Sequence, residues 1–243
     1  MSLLAILALG FFLGMRHATD ADHVVAVTTI VSRERSPWSA LRVGALWGLG
    51  HSATIVAVGG AIILFGLVIP PRIGLSMEFS VAIMLIVLGA MNLSGAMKRI
   101  ADVAHGHSHD GAQPLESSRT SGSIAPEDTS RGFFHRLRPL IVGFVHGLAG
   151  SAAVALLVLT TIKDATWAIL YLAIFGGGTV LGMMVLTLAM AGPLALASRM
   201  FGSFEKKLAG ATGLLSIAFG VFLAYQIGFV DGLFTDTPAW DPH

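Results

Sequence analysis

The chain has 243 residues, with 12% charged side chains and a mean hydropathy of +0.78, against about 25% charged residues in an ordinary soluble domain. That composition excludes a soluble fold and reads as a single polytopic integral membrane unit. A net charge of +1 gives no reason to expect a nucleic-acid partner, and the absence of cysteine removes disulfides, thiolate metal sites and Cys nucleophiles.

Six apolar segments follow in order: 3–31, 40–67, 79–97, 140–162, 166–195 and 208–230. Each reaches the roughly 17–20 residues that cross a bilayer. Backbone groups in lipid must be satisfied within the segment, so these are helices; the short alternating segments of a barrel are absent. No Lys or Arg precedes Arg16, so the first segment is expected to be a retained span rather than a signal peptide. The predicted fold is therefore all-α with six transmembrane helices.

The first segment carries the anomaly. Arg16, His17, Asp20, Asp22 and His23 stand inside it. A charge at mid-helix costs about 2.5–3.5 kcal/mol even on lenient scales, and the default reading of such a cluster is an ion or proton site. At about 100° per residue, His17, Asp20 and His23 share one helical face. Asp22 falls off that face, and Arg16 lies four residues from Asp20, close enough to pair. A straight helix cannot aim all of these at one ion, so either the helix is distorted or Asp22 faces a second group.

Later spans add polar groups at matching depth. At 1.5 Å per residue, His17 and His23 lie about 21 and 12 Å from the cytoplasmic end of their span, His51 about 16 Å, His146 about 10 Å and Asn92 about 8 Å. Imidazole nitrogen with carboxylate oxygen suits a borderline dication such as Ni, Co, Zn, Cu or Fe, whereas Mg or Ca would want an oxygen shell. The bland alternatives are a structural polar network, a proton relay without metal and, for Asn92, a helix-packing hydrogen bond. An inside-negative potential favours inward movement by about 2.3 kcal/mol per charge per 100 mV.

The connection from Lys98 to Pro139 is polar and rich in Ser, Gly and Pro, and holds His105, His107 and His109. It reads as a flexible segment able to chelate a metal transiently. Arg33, Arg35, Arg42, Lys98, Arg99, Arg119, Arg131, Arg136, Arg138, Arg199, Lys206 and Lys207 flank one side of the membrane, with only Arg72 and Lys163 on the other. The positive-inside rule then puts both termini outside and residues 98–139 in the cytoplasm, in the plasma membrane. Trp38, Trp167 and Trp240 sit at span ends as an interfacial belt.

The organisation expected is a first three-helix half (1–97), the cytoplasmic connection (98–139) and a second three-helix half with a short tail (140–243). Gly14-Met15-Arg16-His17 echoes Gly143-Phe144-Val145-His146, and Trp47-Gly48-Leu49-Gly50-His51 echoes Phe175-Gly176-Gly177-Gly178-Thr179. Two units of three spans must be inverted relative to each other, an arrangement common in transporters with midplane sites.

Arg16-His17-Ala18-Thr19-Asp20-Ala21-Asp22-His23-Val24 resembles the signature of the nickel/cobalt transporter family, Arg-His-Ala-x-Asp-Ala-Asp-His with a His-x4-Asp-His core. Leu49-Gly50-His51-Ser52-Ala53-Thr54 is similar to its second motif, Gly-His-Ser-Thr. The resemblance implies secondary uptake of Ni²⁺ or Co²⁺, with His17, Asp20, Asp22, His23 and His51 as metal-selecting residues. His146 and Asn92 are further candidates from depth alone. The likeness is strong over residues 10–60 and thin beyond. Full-length members have eight spans. Here Leu148–Ala153 lacks the acid of the family's Leu-Gly-x-acid-Thr-Ala motif, and Thr187 replaces the Asp of its Gly-Met-x3-Asp motif. The chain is closer to the short relatives that include urease-accessory membrane proteins of the UreH type.

The function expected is secondary transport of a dication, Ni²⁺ before Co²⁺, inward, with no resident cofactor. Its partners are the ion, the bilayer and a cytoplasmic metal chaperone. Efflux of the same metals is the alternative. A membrane metalloenzyme is a distant third, because no nucleophile with its own base accompanies the cluster. No phosphate-binding loop ending in Lys-Ser/Thr is present, so the driving force is the potential, a coupled proton or a separate subunit.

Overall fold

The computed structural model describes residues 3–32, 36–105, 137–149, 158, 162, 164–200 and 204–240. Among the described residues every regular element is helical, and there is no strand. The elements are α1 (Leu3–His17), α2 (Ala21–Val31), α3 (Pro37–Thr54), α4 (Gly60–Phe65) and α5 (Pro71–His105). They continue with α6 (Leu137–Ala149), α7 (Ala165–Met200) and α8 (Phe204–Tyr225). Two π-helical turns interrupt them: Ile55–Gly59 joins α3 to α4, and Gln226–Val230 ends α8.

Four helices are long and apolar enough to cross a membrane: Pro37–Phe65, Pro71–Gly95, Ala165–Pro193 and Lys207–Val230. A fifth span forms if the bent pair α1 and α2 is counted as one. The surface agrees with a lipid solvent. Leu4, Phe12, Phe65, Leu214, Phe222 and Tyr225 all stand more than half exposed, where a soluble monomer would not leave so many large apolar side chains. The chain is a multi-pass membrane protein. The fourth expected segment, 140–162, is described as a helix over Leu137–Ala149 (α6), and most of residues 150–161 lie outside the described residues.

Local chemistry explains the boundaries. Pro71 opens α5, at a position where its missing N–H costs nothing, so the third segment begins well before the expected Phe79. Gly66 closes α4 in the left-handed conformation at φ 61°, which glycine adopts without steric penalty. His107, His109 and His243 lie outside the described residues, and nothing bears on the role expected of the mid-chain histidines.

Small residues bring the helices close, as membrane packing requires. A Cβ on Gly14 of α1 would run into the Phe175 carbonyl of α7, and one on Gly178 of α7 into the Phe11 carbonyl of α1. The α3–α6 contact has the same form: Gly143 lies on the Trp47 carbonyl and Gly50 on the Leu140 carbonyl. Between α5 and α8, Gly89 and Gly213 face each other's carbonyls. α2 is wedged against α5, α7 and α8. Ala18, Val27, Trp47, Leu85 and Met183 form the core around it.

These contacts set a stability prediction. Gly14→Val and Gly143→Val each force backbone apart in the core, and overpacking of this kind costs about 1–3 kcal/mol. Gly60, with nothing within 4 Å of its would-be Cβ, should accept Ala without loss. Thermal unfolding in detergent should show a lowered midpoint for the first two and none for the third.

Candidate metal centre

The anomalous stretch of the first span is where its helix breaks. α1 stops at His17, and α2 resumes at Ala21 after a bend of 55°. Tight turns close the gap: Thr19 N–H donates to Arg16 O at 2.8 Å and Asp20 N–H to His17 O at 3.1 Å. The Thr19 hydroxyl also donates to Arg16 O at 2.6 Å. Asp20 is the N-cap residue of α2, in extended conformation, yet its side chain makes no capping bond. An N-cap Asp ordinarily spends its carboxylate on its own helix. Here the carboxylate goes to His17, with Nδ1···Oδ2 at 2.7 Å. The expected Arg16–Asp20 pair is replaced by this bond; Arg16 itself is exposed.

Both resolutions of the helical-angle conflict occur together. The helix is broken, and Asp22 faces a second group. Its Oδ1 accepts from the His23 backbone N–H at 2.9 Å and lies 3.1 Å from His23 Nδ1. Its Oδ2 lies 2.8 Å from His146 Nε2 on α6. From α3, His51 brings Nε2 to 3.1 Å from His17 Nε2. His23 is the hub, with ring centroids 4.0 Å from His146, 4.8 Å from His17 and 5.0 Å from His51. Trp47 stacks on its far side, at 6.3 Å and 13° between planes.

Burial raises the stakes. His23, His51 and His146 are each at most 1% exposed, while Asp22 and His17 are half-buried. His23 Nε2, His51 Nδ1 and His146 Nδ1 are buried without a hydrogen-bond partner. Unpaired polar atoms in such a place are uncommon and call for a specific explanation, an unseen ion among them. Two groups of ligand atoms lie within 4.8 Å of one another: His17, His23 and His51, and Asp22, His23 and His146. Neutral imidazoles with a carboxylate suit a borderline dication, and Asp20 on His17 is the carboxylate–histidine pairing that orients metal ligands.

His17, Asp20, Asp22, His23, His51 and His146 therefore meet at one place, drawn from α1, the break, α2, α3 and α6. Asn92 does not join them. Its Nδ2 donates to Thr29 O at 3.2 Å, to Ser32 Oγ at 3.3 Å and to Thr212 Oγ1 at 3.1 Å, tying α2, α5 and α8 together. This is the packing role weighed for it as the alternative.

A cavity of about 330 Å³ opens onto the cluster and is lined also by Glu78, Gln226 and Asp231. None of these three is among the residues expected at the site. Glu78 immediately precedes the apolar segment drawn for the third span, and Asp231 immediately follows the sixth. Gln226, the amide inside the last span, was the available signal. It opens the terminal π-turn, a distortion frequent at functional sites, and donates to Asp231 Oδ1 at 3.2 Å. Trp240 is more than a belt residue: its Nε1–H donates to Glu78 Oε1 at 2.8 Å.

No protein-family model and no solved structure matches the chain. Among curated proteins, it is 37% identical over 232 residues to the urease accessory protein UreH of Bacillus sp. (strain TB-90), covering 96% of each chain.

The geometry separates the residues of the cluster from Asn92, which packs helices together. In purified protein titrated with Ni²⁺ or Co²⁺, Asp20→Asn should weaken affinity about 10–100-fold by releasing His17. Asn92→Ala should leave affinity unchanged and lower thermal stability by about 1–3 kcal/mol, because it strips a buried hydrogen-bonding node.

Proposed function

The chain belongs to the nickel/cobalt transporter family, in its UreH-like branch, and we propose that it is a secondary transporter carrying Ni²⁺, with Co²⁺ second, inward across the plasma membrane. The observation that carries this reading is the pair of ligand groups that share the buried His23, His17 with His51 and Asp22 with His146, each group within 4.8 Å, at the break of a membrane helix. The relative is a urease accessory protein, and supplying nickel for urease maturation is the role we propose here. A cytoplasmic metal chaperone would receive the ion.

Six spans in two inverted halves, 1–97 and 140–243, joined by the cytoplasmic connection 98–139, complete the proposal. Reciprocal contacts support it. Gly14 with Phe175 and Gly143 with Trp47 are equivalent under the sequence echo, as are Gly178 with Phe11 and Gly50 with Leu140. The same correspondence makes His17 and His146 counterparts, and both reach the cluster. Sites at the interface of such halves are the rule in inverted-repeat transporters.

Uptake is favoured over efflux by where the cavity lies. It is lined by Glu78 near the start of α5 and by Gln226 and Asp231 at the end of α8. The Lys and Arg distribution assigns that side to the exterior. Glu78 and Asp231 then form an acidic mouth that would raise the local concentration of cations. The inside-negative potential drives a dication inward from there.

Expressed in cells without other nickel importers, the protein should raise accumulation of radioactive Ni²⁺, and His23→Ala should cut the gain by about tenfold or more. Lower nickel content in expressing cells than in controls would establish efflux instead, and uptake indifferent to His17→Ala and His23→Ala would remove the site.

A further inference from the structure

The two groups of converging ligands share one residue. His23 belongs both to the group with His17 and His51 and to the group with Asp22 and His146. Its Nδ1 lies 3.1 Å from Asp22 Oδ1, while its Nε2 is buried with no partner. The two nitrogens of an imidazole are distinct sites on separate edges of the ring. One ring cannot turn both to a single ion, but it can serve two ions' positions, one on each edge.

Each group contains one pair of ligand atoms close to the spacing of a coordination shell. Ligand atoms 2.0–2.1 Å from an ion stand about 2.9–3.4 Å apart when adjacent. His17 Nε2 and His51 Nε2 are 3.1 Å apart. Asp20 accepts from His17 Nδ1–H, which leaves the His17 Nε2 lone pair facing His51. Asp22 Oδ2 and His146 Nε2 are 2.8 Å apart. His17 and His146 occupy corresponding places in the sequence echo, and one falls in each group.

We propose that the protein holds its dication in two adjacent positions hinged on His23, one made by His17, His23 and His51 and the other by Asp22, His23 and His146. The ion passes between them by exchanging one edge of the His23 ring for the other. This rests on the metal-transport reading and adds the path within it. With the ion on the Nε2 edge, Nδ1 keeps its proton and donates to Asp22. With the ion on the Nδ1 edge, that proton relocates to Nε2, so the ring stays neutral. Two dications flanking one ring in a low-dielectric interior repel strongly, so the positions fill in alternation.

The test uses full-length protein, Co²⁺ as the probe, its visible absorption as the readout of coordination, and Co²⁺ uptake into proteoliposomes. His51→Ala and His146→Ala should each still bind Co²⁺, with absorption bands that differ from each other, and each should lose uptake by about tenfold or more. The double variant should bind none. His146→Gln, which keeps a donor for Asp22, should fail in uptake as His146→Ala does. Loss of Co²⁺ binding in both single variants would mean one composite site and overturn the proposal. Unchanged bands and uptake in His146→Ala, or rescue of uptake by His146→Gln, would also overturn it. Absence of Co²⁺ binding by the unsubstituted protein would defeat the transport reading itself, and the relay with it.

Discussion

A carboxylate or imidazole at the middle of a membrane helix has no bulk water to turn to, and the structure is organised around how six such groups answer one another. Asp20 takes His17; Asp22 takes His23 and His146; His51 completes the ring of contacts. The helix gives up its own ladder at Thr19 and Asp20, whose N–H groups turn to carbonyls three residues back, to make this possible. Asp20 forgoes its cap for the same reason. Breaks of local rule of this kind gather at functional sites.

Positioning the cluster depends on residues with no chemistry of their own. His17 reaches His51 because α1 and α3 both lie tightly on α7, through Gly14 on the Phe175 carbonyl and Gly48 against Val180. His146 reaches Asp22 because Gly143 and Gly147 of α6 sit on the Trp47 and His51 carbonyls of α3. Without a hydrophobic drive between helices in lipid, such backbone approach, with its van der Waals contact, holds the bundle. The hydroxyls of Ser52 and Thr54 add bonds to the Gly176 and Phe144 carbonyls at 2.8 and 3.1 Å. Asn92 secures the other flank of α2.

Much of this was legible in the sequence, for reasons that can be named. Membrane spans announce themselves by hydropathy, and an ionisable cluster inside one announces a site. Helical angles showed that Asp22 could not share an ion with His17 on a straight helix, and depth picked out His51. Depth could not separate His146 from Asn92, because both fell in the same layer; only the rotation of α5 and α6 about their axes decides which side chain faces α2. Boundaries were less legible. The third segment, drawn from Phe79 by hydropathy, starts at Pro71 because proline opens the helix, and the π-turn at Gln226 has no sequence signature. Glu78 and Asp231 escaped because a charge beside a span end is usually solvated.

The central claim is that the buried histidines and Asp22 coordinate the transported dication directly. X-ray absorption at the nickel edge, on Ni²⁺-loaded purified protein, reads that shell without depending on transport. The account predicts outer-shell scattering from several imidazole rings, reduced when His23 is replaced by Ala. A shell of water oxygens alone, with no imidazole scattering and no change on that substitution, would contradict it.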